Sequence, residues 1–253
     1  MGRLTGRVAI VTGAASGIGR GVTRRYVDEG AAVVAADINS GSLHELADEL
    51  AGSSGRVAAI RCDVGVEAEI DQVVRTALDR FGQVDILANI AQGNMDNPGL
   101  LRDTSPEQAM RSFVTGPLQS MLFMQKCLPT MMARHYGRVL NFASHSAVMG
   151  SPGFAAYELA KGAIQALTRN ASQEWAAHGI TTNCILPILR TPAYDLSPQG
   201  RAAADQLQES IPVGRFGTPY EDCGPLMVFL ASEDAGYING QMIGLDGGYR
   251  LIA

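Results

Sequence analysis

The feature that most constrains the fold of this chain is its alternation of short apolar runs with longer segments of helical pattern. The first run, Arg7 to Thr12, is rich in β-branched residues and leads through a glycine-rich turn into a helical segment ending near Glu29. A run that is apolar at nearly every position indicates a strand buried on both faces. Helices between such strands predict parallel strands joined by right-handed crossovers. We therefore predict an α/β fold around a mostly parallel sheet.

The same pattern continues along the chain. Further strands are predicted at residues 32–37, 57–61, 84–89, 138–142, 181–186 and 241–246. Helices are predicted at residues 20–29, 42–51, 67–81, 105–133, 154–177 and 219–231, with another helical stretch between 187 and 212. Pro117 and Pro129 are expected to bend or segment the long helix. Because no repeat, linker or low-complexity tract is present, we predict a single domain spanning residues 1–253.

The composition argues against several classes of function. Of the 253 residues, 46% are hydrophobic and 18% charged, and the net charge is −5, without a basic run that would indicate a nucleic-acid surface. No apolar span of about 18 residues and no leader-like segment is present, so we expect a cytoplasmic protein without membrane association. The four cysteines lack C-x-x-C spacing and are expected to be reduced and mostly buried. The histidines form no metal-ligand pattern.

A glycine pattern follows the first predicted strand. Gly13, Gly17 and Gly19 lie between a buried strand and a helix, where glycine permits a tight turn and the helix N-terminus attracts phosphate. Such a cluster alone is a weak signal, but Asp37 ends the second strand 24 residues after Gly13. A carboxylate at that offset is typical of a group that binds the ribose of NAD and repels the 2′-phosphate of NADP, although a helix cap or turn residue is the alternative.

Two neighbouring residues favour the same cofactor. Ile38, not arginine, follows Asp37, and Ser16 within the loop is neutral. Neither side chain offers the positive charge that a 2′-phosphate requires. The sequence therefore predicts NAD as the cofactor and disfavours NADP.

A tyrosine and a lysine stand four residues apart in a predicted helix. Tyr157 and Lys161 would leave one face of that helix, and Ser144 follows a predicted strand thirteen residues before Tyr157. An ammonium close to a phenol should lower the pKa of the tyrosine from about 10 towards working pH, as a general acid/base requires. By itself the pair is also compatible with an amphipathic helix that carries a snorkelling lysine.

Further motifs accompany these residues in one order: TGAASGIG at 12–19, DV at 63–64, RVLNFAS at 138–144, YELAK at 157–161, PVGRFG at 212–217 and LDGGY at 245–249. With them the chain resembles the short-chain dehydrogenase/reductase family nearly from end to end. The resemblance implies a seven-stranded, mostly parallel Rossmann sheet with helices on both faces. It also implies hydride transfer between NAD(H) and a secondary alcohol or ketone.

The resemblance assigns roles by position. Ser144, Tyr157 and Lys161 would be catalytic: Ser144 would bind the substrate oxygen, Tyr157 would exchange its proton, and Lys161 would lower the pKa of Tyr157 and hold the nicotinamide ribose. The implied cofactor-binding residues are Gly13, Ser16, Gly17, Ile18, Gly19, Asp37, Asp63, Val64, Asn89, Ala91, Tyr157, Lys161, Pro187 and Thr191. The implied substrate-binding residues are Gln92, Ser144, His145, Tyr157 and Tyr194, with no metal.

The resemblance further divides the chain and predicts its partners. Residues up to about 100 would mainly bind the dinucleotide, whereas residues from about 138 to 253 would carry the catalytic groups and the substrate loop. The partners would be a small-molecule substrate and other copies of the chain, in a homotetramer or a homodimer. Apolar residues on the helices after Pro117 and Phe154, among them Met121, Phe123, Met124, Leu167 and Trp175, would pair across a two-fold axis.

Three positions depart from the family pattern. Gln92 stands where the family commonly has glycine after the fourth strand. Phe113, three residues before Gly116, would occupy the position of an asparagine that feeds a water relay to the lysine, so the relay would be rerouted or absent. Ile188 stands where glycine is usual, which weakens the expected cofactor contact of Thr191. These departures leave open an alternative: a catalytically weak member that binds dinucleotide for regulation.

The substrate cannot be identified from the sequence. Residues 151–153, 92–101 and 188–211 are expected to form its pocket, by resemblance. Tyr194, Leu196 and Leu207 suggest an apolar wall compatible with a cyclic, aromatic, steroid-like or acyl compound. His145, next to Ser144, could bind substrate or be a loop histidine without a role.

Overall fold

The computed structural model describes residues 2–53, 55–93, 99–195 and 198–250. Within them, seven strands form one sheet: β1 (Val8–Thr12), β2 (Ala32–Asp37), β3 (Arg56–Arg61), β4 (Ile86–Asn89), β5 (Gly137–Phe142), β6 (Ile180–Pro187) and β7 (Met242–Leu245). The strand order is β3-β2-β1-β4-β5-β6-β7, and every neighbouring pair is parallel. The α/β fold with a seven-stranded sheet is therefore confirmed, and the sheet is wholly rather than mostly parallel.

The helices cover both faces of the sheet. They are α1 (Gly17–Asp28), α2 (Ser40–Glu49), α3 (Glu67–Phe81), α4 (Pro106–Phe113), α5 (Gln119–Arg134), α6 (Ser146–Met149), α7 (Ala155–Trp175), α8 (Pro198–Glu209) and α9 (Gly224–Ala231). One core cluster joins alternate residues of β1 to α1, α2 and α9. A second joins the other residues of β1 to α3, α5 and α7. Since side chains alternate across a strand, the fully buried sequence VAIVT of β1 supplies both cores.

The position of the functional site follows from the strand order. Chain order reverses on either side of β1, because β2 lies on one side and β4 on the other. In open parallel sheets the carboxyl ends of the strands form a crevice at such a switch point. The segments that follow β1, β2, β4, β5 and β6 all reach this end of the sheet.

The long helical region is segmented at one proline and not at the other. A π-helical turn, Val114–Leu118, joins α4 to α5 and contains Pro117. Because proline has no N–H, it cannot make the helical bond that would keep this turn regular. The Ser120 hydroxyl instead donates to the Gly116 carbonyl (2.9 Å). Pro129 lies inside a continuous α5, so the prediction that it would also segment the helix is wrong in that respect.

The apolar residues singled out for assembly mostly serve the core. Phe123 and Met124 are fully buried against the sheet, and Leu167 and Trp175 pack at the edge of the same cluster. The sequence analysis expected these residues to pair with another copy of the chain. The structure shows that they pack against the sheet of their own chain. The exposed apolar side chains of this region are instead Met110 and Phe113 on α4 and Leu159 on α7.

All four cysteines, Cys62, Cys127, Cys184 and Cys223, are buried and free. Among the helices of the described ranges, none combines the length and the apolar character needed to cross a bilayer.

Candidate active site

A cleft of about 1440 Å³ opens at the carboxyl ends of the strands. The loop after β1, the end of β2, the segments after β4 and β6, and the start of α7 all contribute to its walls. Of the residues that the sequence predicts for the site, all but one line this cleft: Gly13, Ser16, Gly17, Ile18, Gly19, Asp37, Asp63, Val64, Ala91, Gln92, Ser144, His145, Tyr157, Lys161, Pro187, Thr191 and Tyr194. The topology thus brings together residues up to 181 positions apart in the chain (13 to 194).

Asn89 is the exception, and its cofactor role stays a prediction. Its side chain is buried and donates through Nδ2 to Oδ1 of Asn141 (2.8 Å). Asn141 in turn donates to the Thr168 hydroxyl on α7 (3.0 Å). The Asn89 amide therefore ties β4 to β5 and α7 from inside the protein and does not line the cleft.

The loop after β1 requires glycine because other backbone atoms approach it closely. Gly13 has a φ of +68°, which a residue with a Cβ rarely adopts, and a Cβ there would lie 3.1 Å from the backbone of Ala91. A Cβ on Gly19 would lie 2.0 Å from the carbonyl oxygen of Gly13. Ser16 is the exposed N-cap residue of α1, and its hydroxyl makes no capping bond. The loop therefore presents a free hydroxyl at a helix N-terminus.

Thr12 is a site residue whose role the sequence analysis did not assign. Its Oγ1 accepts hydrogen bonds from the backbone N–H groups of Ile90 and Ala91, both at 3.0 Å. The hydroxyl thus ties the start of the glycine loop to the segment after β4. Thr12 opens the glycine motif at residues 12–19 and could have been singled out for that reason. Its hydrogen bonds to residues after β4 could not be predicted, because they join segments that are distant in the sequence.

Asp37 lies at the end of β2, facing the glycine loop. Its Oδ2 accepts from the backbone N–H of Ala15 and its Oδ1 from that of Asn39, both at 2.9 Å. Each carboxylate oxygen keeps a second lone pair for a ligand. Ile38 beside it is exposed and also lines the cleft. Asp63 has a comparable local turn, with Oδ1 accepting from the N–H of Gly65 (2.9 Å).

Ser144 and Tyr157 meet at the centre of the cleft. Ser144 follows β5, and its Oγ lies 2.9 Å from Oγ of Ser146 at the start of α6. Tyr157, in the first turn of α7, has its ring edge-on to Phe154 with centroids 6.5 Å apart. Burial raises the pKa of Tyr157 to about 12, and a hydrogen bond with the Ser144 hydroxyl opposes part of this rise.

Lys161 is buried one turn further along α7. Its Nζ donates to the carbonyl oxygen of Phe142 (2.8 Å) and lies 5.5 Å from the ring centroid of Tyr157. Burial lowers the pKa of Lys161 to about 8, with a small opposing effect of the Cys184 thiol. The predicted fall in the pKa of Tyr157 does not appear: burial raises that pKa, and the Lys161 ammonium donates to the Phe142 carbonyl.

His145 is buried beside Ser144 and forms a pair with Asp246. Its Nε2 lies 3.2 Å from Oδ2 of Asp246. Burial lowers the pKa of His145, and the carboxylate of Asp246 opposes that shift. Asp246 is itself held by the backbone N–H groups of Gly248 and Arg250, each at 3.0 Å. The pair links the serine loop to the segment after β7, a contact for which the LDGGY motif gave the only sequence signal.

The structure corrects the position assigned to Phe113. Its side chain is 42% exposed at the end of α4 and does not line the cleft, so it blocks no internal path. Gly116, in the π turn, packs against α7: a Cβ there would lie 3.4 Å from Cβ of Ala160 and 2.7 Å from Oε1 of Gln92.

The segment after β6 carries no strain at Ile188. Among the described residues only His135 combines a side chain with a positive φ, so the concern about Ile188 does not hold. Ile188 donates its N–H to the Leu245 carbonyl (2.8 Å) and is buried. Thr191 places its methyl group 3.5 Å from where a Cβ on Gly17 would lie. Of the predicted substrate pocket, residues 94–98, Leu196 and Ser197 lie outside the described part of the chain.

The remaining substrate wall is apolar and aromatic. Tyr194 packs on Phe216 with ring centroids 5.4 Å apart, and Leu207 and Tyr249 join the same cluster. Tyr194, Leu207 and Tyr249 line the cleft together with Met149 and Phe154 from the opposite side. The cleft thus has a glycine-loop half and an apolar half, with Ser144, Tyr157 and Lys161 between them.

Comparison with known proteins supports the family that the sequence motifs resemble. The family model described as Enoyl-(Acyl carrier protein) reductase matches residues 13–250. The chain is 32% identical to the 3-oxoacyl-[acyl-carrier-protein] reductase FabG of Thermotoga maritima, over 97% of this chain and 98% of that protein. It is 34% identical to the 2,3-dihydroxy-2,3-dihydro-p-cumate dehydrogenase of Pseudomonas putida, over 98% and 96%.

A solved structure agrees with these relatives. The crystal structure of levodione reductase superimposes with a TM-score of 0.91 at 28% identity, over 97% of this chain and 98% of that one. The family model covers most of the chain, and relatives above 30% identity cover nearly all of it. The chain therefore belongs to the short-chain dehydrogenase/reductase family, oxidoreductases that act on CH–OH groups and bind a nicotinamide dinucleotide.

Proposed function

We propose that this protein transfers a hydride between NAD(H) and a secondary alcohol or ketone, with Tyr157 as the general acid/base. The observation that carries the proposal is the meeting of the Ser144 hydroxyl, the Tyr157 phenol and the Lys161 ammonium in one cleft. A hydroxyl that can bind a substrate oxygen stands next to a phenol that can exchange a proton with it. The alternative, a catalytically weak member with a regulatory role, has lost two of its supports, since Phe113 faces outwards and Ile188 is unstrained.

The residues of the cleft fit a dinucleotide. The turn at Gly13 and Gly17 leaves room that a Cβ would fill, and the uncapped Ser16 hydroxyl stands at the positive end of α1, where a pyrophosphate is favoured. Asp37 would accept hydrogen bonds from the ribose hydroxyls, and Asp63 and Val64 would border the adenine. Thr191 and Pro187 would border the nicotinamide. When bound, the nicotinamide supplies or takes the hydride.

The charge at the end of β2 favours NAD over NADP. The Asp37 carboxylate would repel a 2′-phosphate, and the exposed neighbour Ile38 offers no compensating cation. The relatives differ in chemistry, and their names do not specify the cofactor. The preference for NAD therefore rests on Asp37 and Ile38.

Each member of the catalytic set acts through its own geometry. Ser144, oriented by Ser146, would hydrogen-bond the substrate oxygen and hold it beside Tyr157. Tyr157 would give its proton to that oxygen in reduction and take it in oxidation. Lys161, fixed on the Phe142 carbonyl, would bind the ribose and add positive charge near the phenol. Their fixed positions supply orientation before the substrate arrives.

The apolar wall supports a bulky, largely apolar substrate. Tyr194, Leu207, Tyr249, Met149 and Phe154 surround the catalytic set, and the charged side chains that line the cleft near them, Glu107 and Arg111, are exposed on α4. Two relatives act, by their names, on a 3-oxoacyl chain and on a dihydroxylated dihydro ring. We place a cyclic, aromatic or acyl ketone in this half of the cleft, and a cytoplasmic homotetramer or homodimer as the working form.

Turnover of a panel of secondary alcohols and ketones, followed by NADH absorbance, tests the proposal. Activity with NAD should exceed that with NADP, and Asp37→Ala should narrow the difference. Tyr157→Phe should keep dinucleotide affinity and lose at least about 100-fold in kcat, because it removes only the proton carrier. Near-normal turnover of Tyr157→Phe would refute the mechanism, and dinucleotide binding without turnover on the whole panel would favour the regulatory alternative.

A further inference from the structure

Glu158 stands between Tyr157 and Lys161 in the YELAK motif, and the proposed mechanism gives it no role. Its side chain is half-buried in the first turn of α7. Oε1 of its carboxylate accepts a hydrogen bond from the backbone N–H of Ser151 (2.5 Å). Hydrogen bonds to a carboxylate are stronger than those between neutral groups, and the N-terminus of a helix favours a negative charge. Glu158 is therefore placed to attach the segment that precedes its own helix.

That segment is the 150–154 loop, which connects α6 to α7. The backbone turns at two glycines with a positive φ, +76° at Gly150 and +94° at Gly153. A Cβ on Gly150 would meet no atom within 4 Å, so this end of the loop is not packed against other parts of the chain. Within the loop, the N–H of Phe154 donates to the Ser151 carbonyl (3.2 Å). The bond to Glu158 thus adds an attachment to helix α7 in a loop that is open on one side.

The bond is not an ordinary helix cap. In a capping box, the side chain of the third helical residue returns to the backbone N–H of the N-cap residue. Here Phe154 is the N-cap residue and has no side-chain capping bond, and Glu158 is the fourth residue of α7. Its carboxylate bonds instead to Ser151, three residues before the N-cap. The bond therefore attaches the loop rather than the first turn of the helix.

The 150–154 loop borders the space above the catalytic tyrosine. Ser151 and Phe154 line the cleft, and the Phe154 ring stands edge-on to the ring of Tyr157 with centroids 6.5 Å apart. The Gly153 carbonyl accepts from the N–H of Gly99 (2.9 Å), so the loop also contacts the segment after β4. A movement of the loop would therefore change the room beside Tyr157.

We propose that Glu158 is a positioning residue for substrate specificity: by holding the 150–154 loop, it sets the space that Ser151 and Phe154 leave for the group attached to the reacting carbon. A bulky cyclic or acyl group fills this space and depends on Glu158, whereas a small aliphatic ketone does not reach it. The effect on turnover rests on the proposed function. The attachment of the loop is a property of the folded chain.

Hydrogen exchange followed by mass spectrometry tests the attachment without any turnover. In the peptide that covers residues 146–158, Glu158→Ala should speed the exchange of at least one amide about ten-fold or more, because the Ser151 N–H loses its acceptor. Exchange at the rate of wild type would overturn the proposal, whether or not the protein reduces ketones.

Two conservative variants separate the reach of the side chain from its charge. Glu158→Asp keeps the charge but is one methylene shorter, so it cannot reach Ser151, whereas Glu158→Gln keeps an acceptor at the same reach. With decalone as a bulky ketone, Glu158→Asp should raise KM about ten-fold or more with kcat within about two-fold, because Ser144, Tyr157 and Lys161 are unchanged. KM for butanone and the dissociation constant of NADH should each stay within about two-fold. Glu158→Gln should behave like wild type with both ketones.

Glu174→Asp is the matched control, because it makes the same change at an exposed position near the end of α7. It should alter neither KM nor the exchange of the 150–154 loop. Equal losses with decalone and butanone, or a Glu158→Gln variant as impaired as Glu158→Asp, would refute the role in specificity. Neither result touches the assignment of Tyr157, which fails only if Tyr157→Phe remains active.

Discussion

Binding of the oxidised dinucleotide should become tighter as the pH rises, because the pKa of Tyr157 has to fall on binding. Burial raises that pKa to about 12 in the free protein. At pH 9 only about one molecule in a thousand would then carry the phenolate needed to accept a proton. A general base works best with a pKa near the working pH, so the positively charged nicotinamide must bring the pKa of Tyr157 down to roughly 9.

The magnitude follows from linkage. A fall of about three pKa units corresponds to about 4 kcal/mol, and the reciprocity of coupled equilibria makes the phenolate form bind oxidised dinucleotide about a thousand-fold more tightly than the phenol form. Between about pH 9 and pH 12 the dissociation constant for NAD+ should therefore fall about ten-fold for each pH unit. NADH, whose ring is neutral, should show no such slope.

Two measurements isolate the effect. The ultraviolet absorbance of tyrosinate, taken as wild type minus Tyr157→Phe, reports one of the seven tyrosines. Calorimetry in buffers of different ionisation enthalpy counts the protons released on binding. Lys161→Met separates the titration of Lys161, whose pKa is lowered to about 8, from that of Tyr157; because this change should also weaken dinucleotide binding, only its pH slope is compared. A free protein in which Tyr157 already ionises at mildly alkaline pH, or equal pH slopes for NAD+ and NADH, would refute the reasoning.

Three further outcomes are expected. Asn141→Ala should lower the free energy of unfolding in urea by at least about 2 kcal/mol, because it leaves the buried amide of Asn89 and the Thr168 hydroxyl without their partner; an effect below about 0.5 kcal/mol would contradict the inward role of Asn89. Asp246→Asn should lower the pKa of His145 further in NMR titrations. When the folded-state pKa of His145 lies below the unfolded value of about 6.5, the folded protein binds fewer protons than the unfolded protein. The variant should therefore lose more stability than wild type as the pH falls below about 6.5. An unchanged titration would contradict the pairing. Light scattering at micromolar concentration should give the mass of a tetramer or a dimer, and a monomer mass would contradict the proposed assembly.

The sheet could be predicted from the sequence because its signal is local. A strand such as β1 is apolar at every position, and each predicted strand lies within two residues of its observed bounds. The glycine loop, Asp37, Tyr157 and Lys161 were also recognisable, since each stands at a fixed offset from a strand or helix end. The pattern therefore predicted which segments meet at the carboxyl edge of the sheet.

The remaining features could not be predicted because they depend on how each residue is packed and buried in the folded chain. Phe113 is exposed at the end of α4, whereas Gly116 in the π turn packs against α7, and the spacing of the two residues in the sequence does not show this. The pKa of Tyr157 depends on burial, which spacing along a helix cannot report. Asn89 ends β4, and its amide bonds to Asn141 on the neighbouring strand, a contact that the sequence does not show.

The π turn also determines how readily this protein can acquire a new substrate. One residue removed from Val114–Leu118 would rotate α4 by roughly 100° about its axis relative to α5. Phe123 and Met124, which anchor α5 on the sheet, would keep their places, whereas Met110 and Arg111 would leave the cleft wall and their neighbours would enter it. Deletion of a single codon would thus exchange all the α4 side chains that line the cleft in one step. Substitution alone would have to rebuild that wall residue by residue.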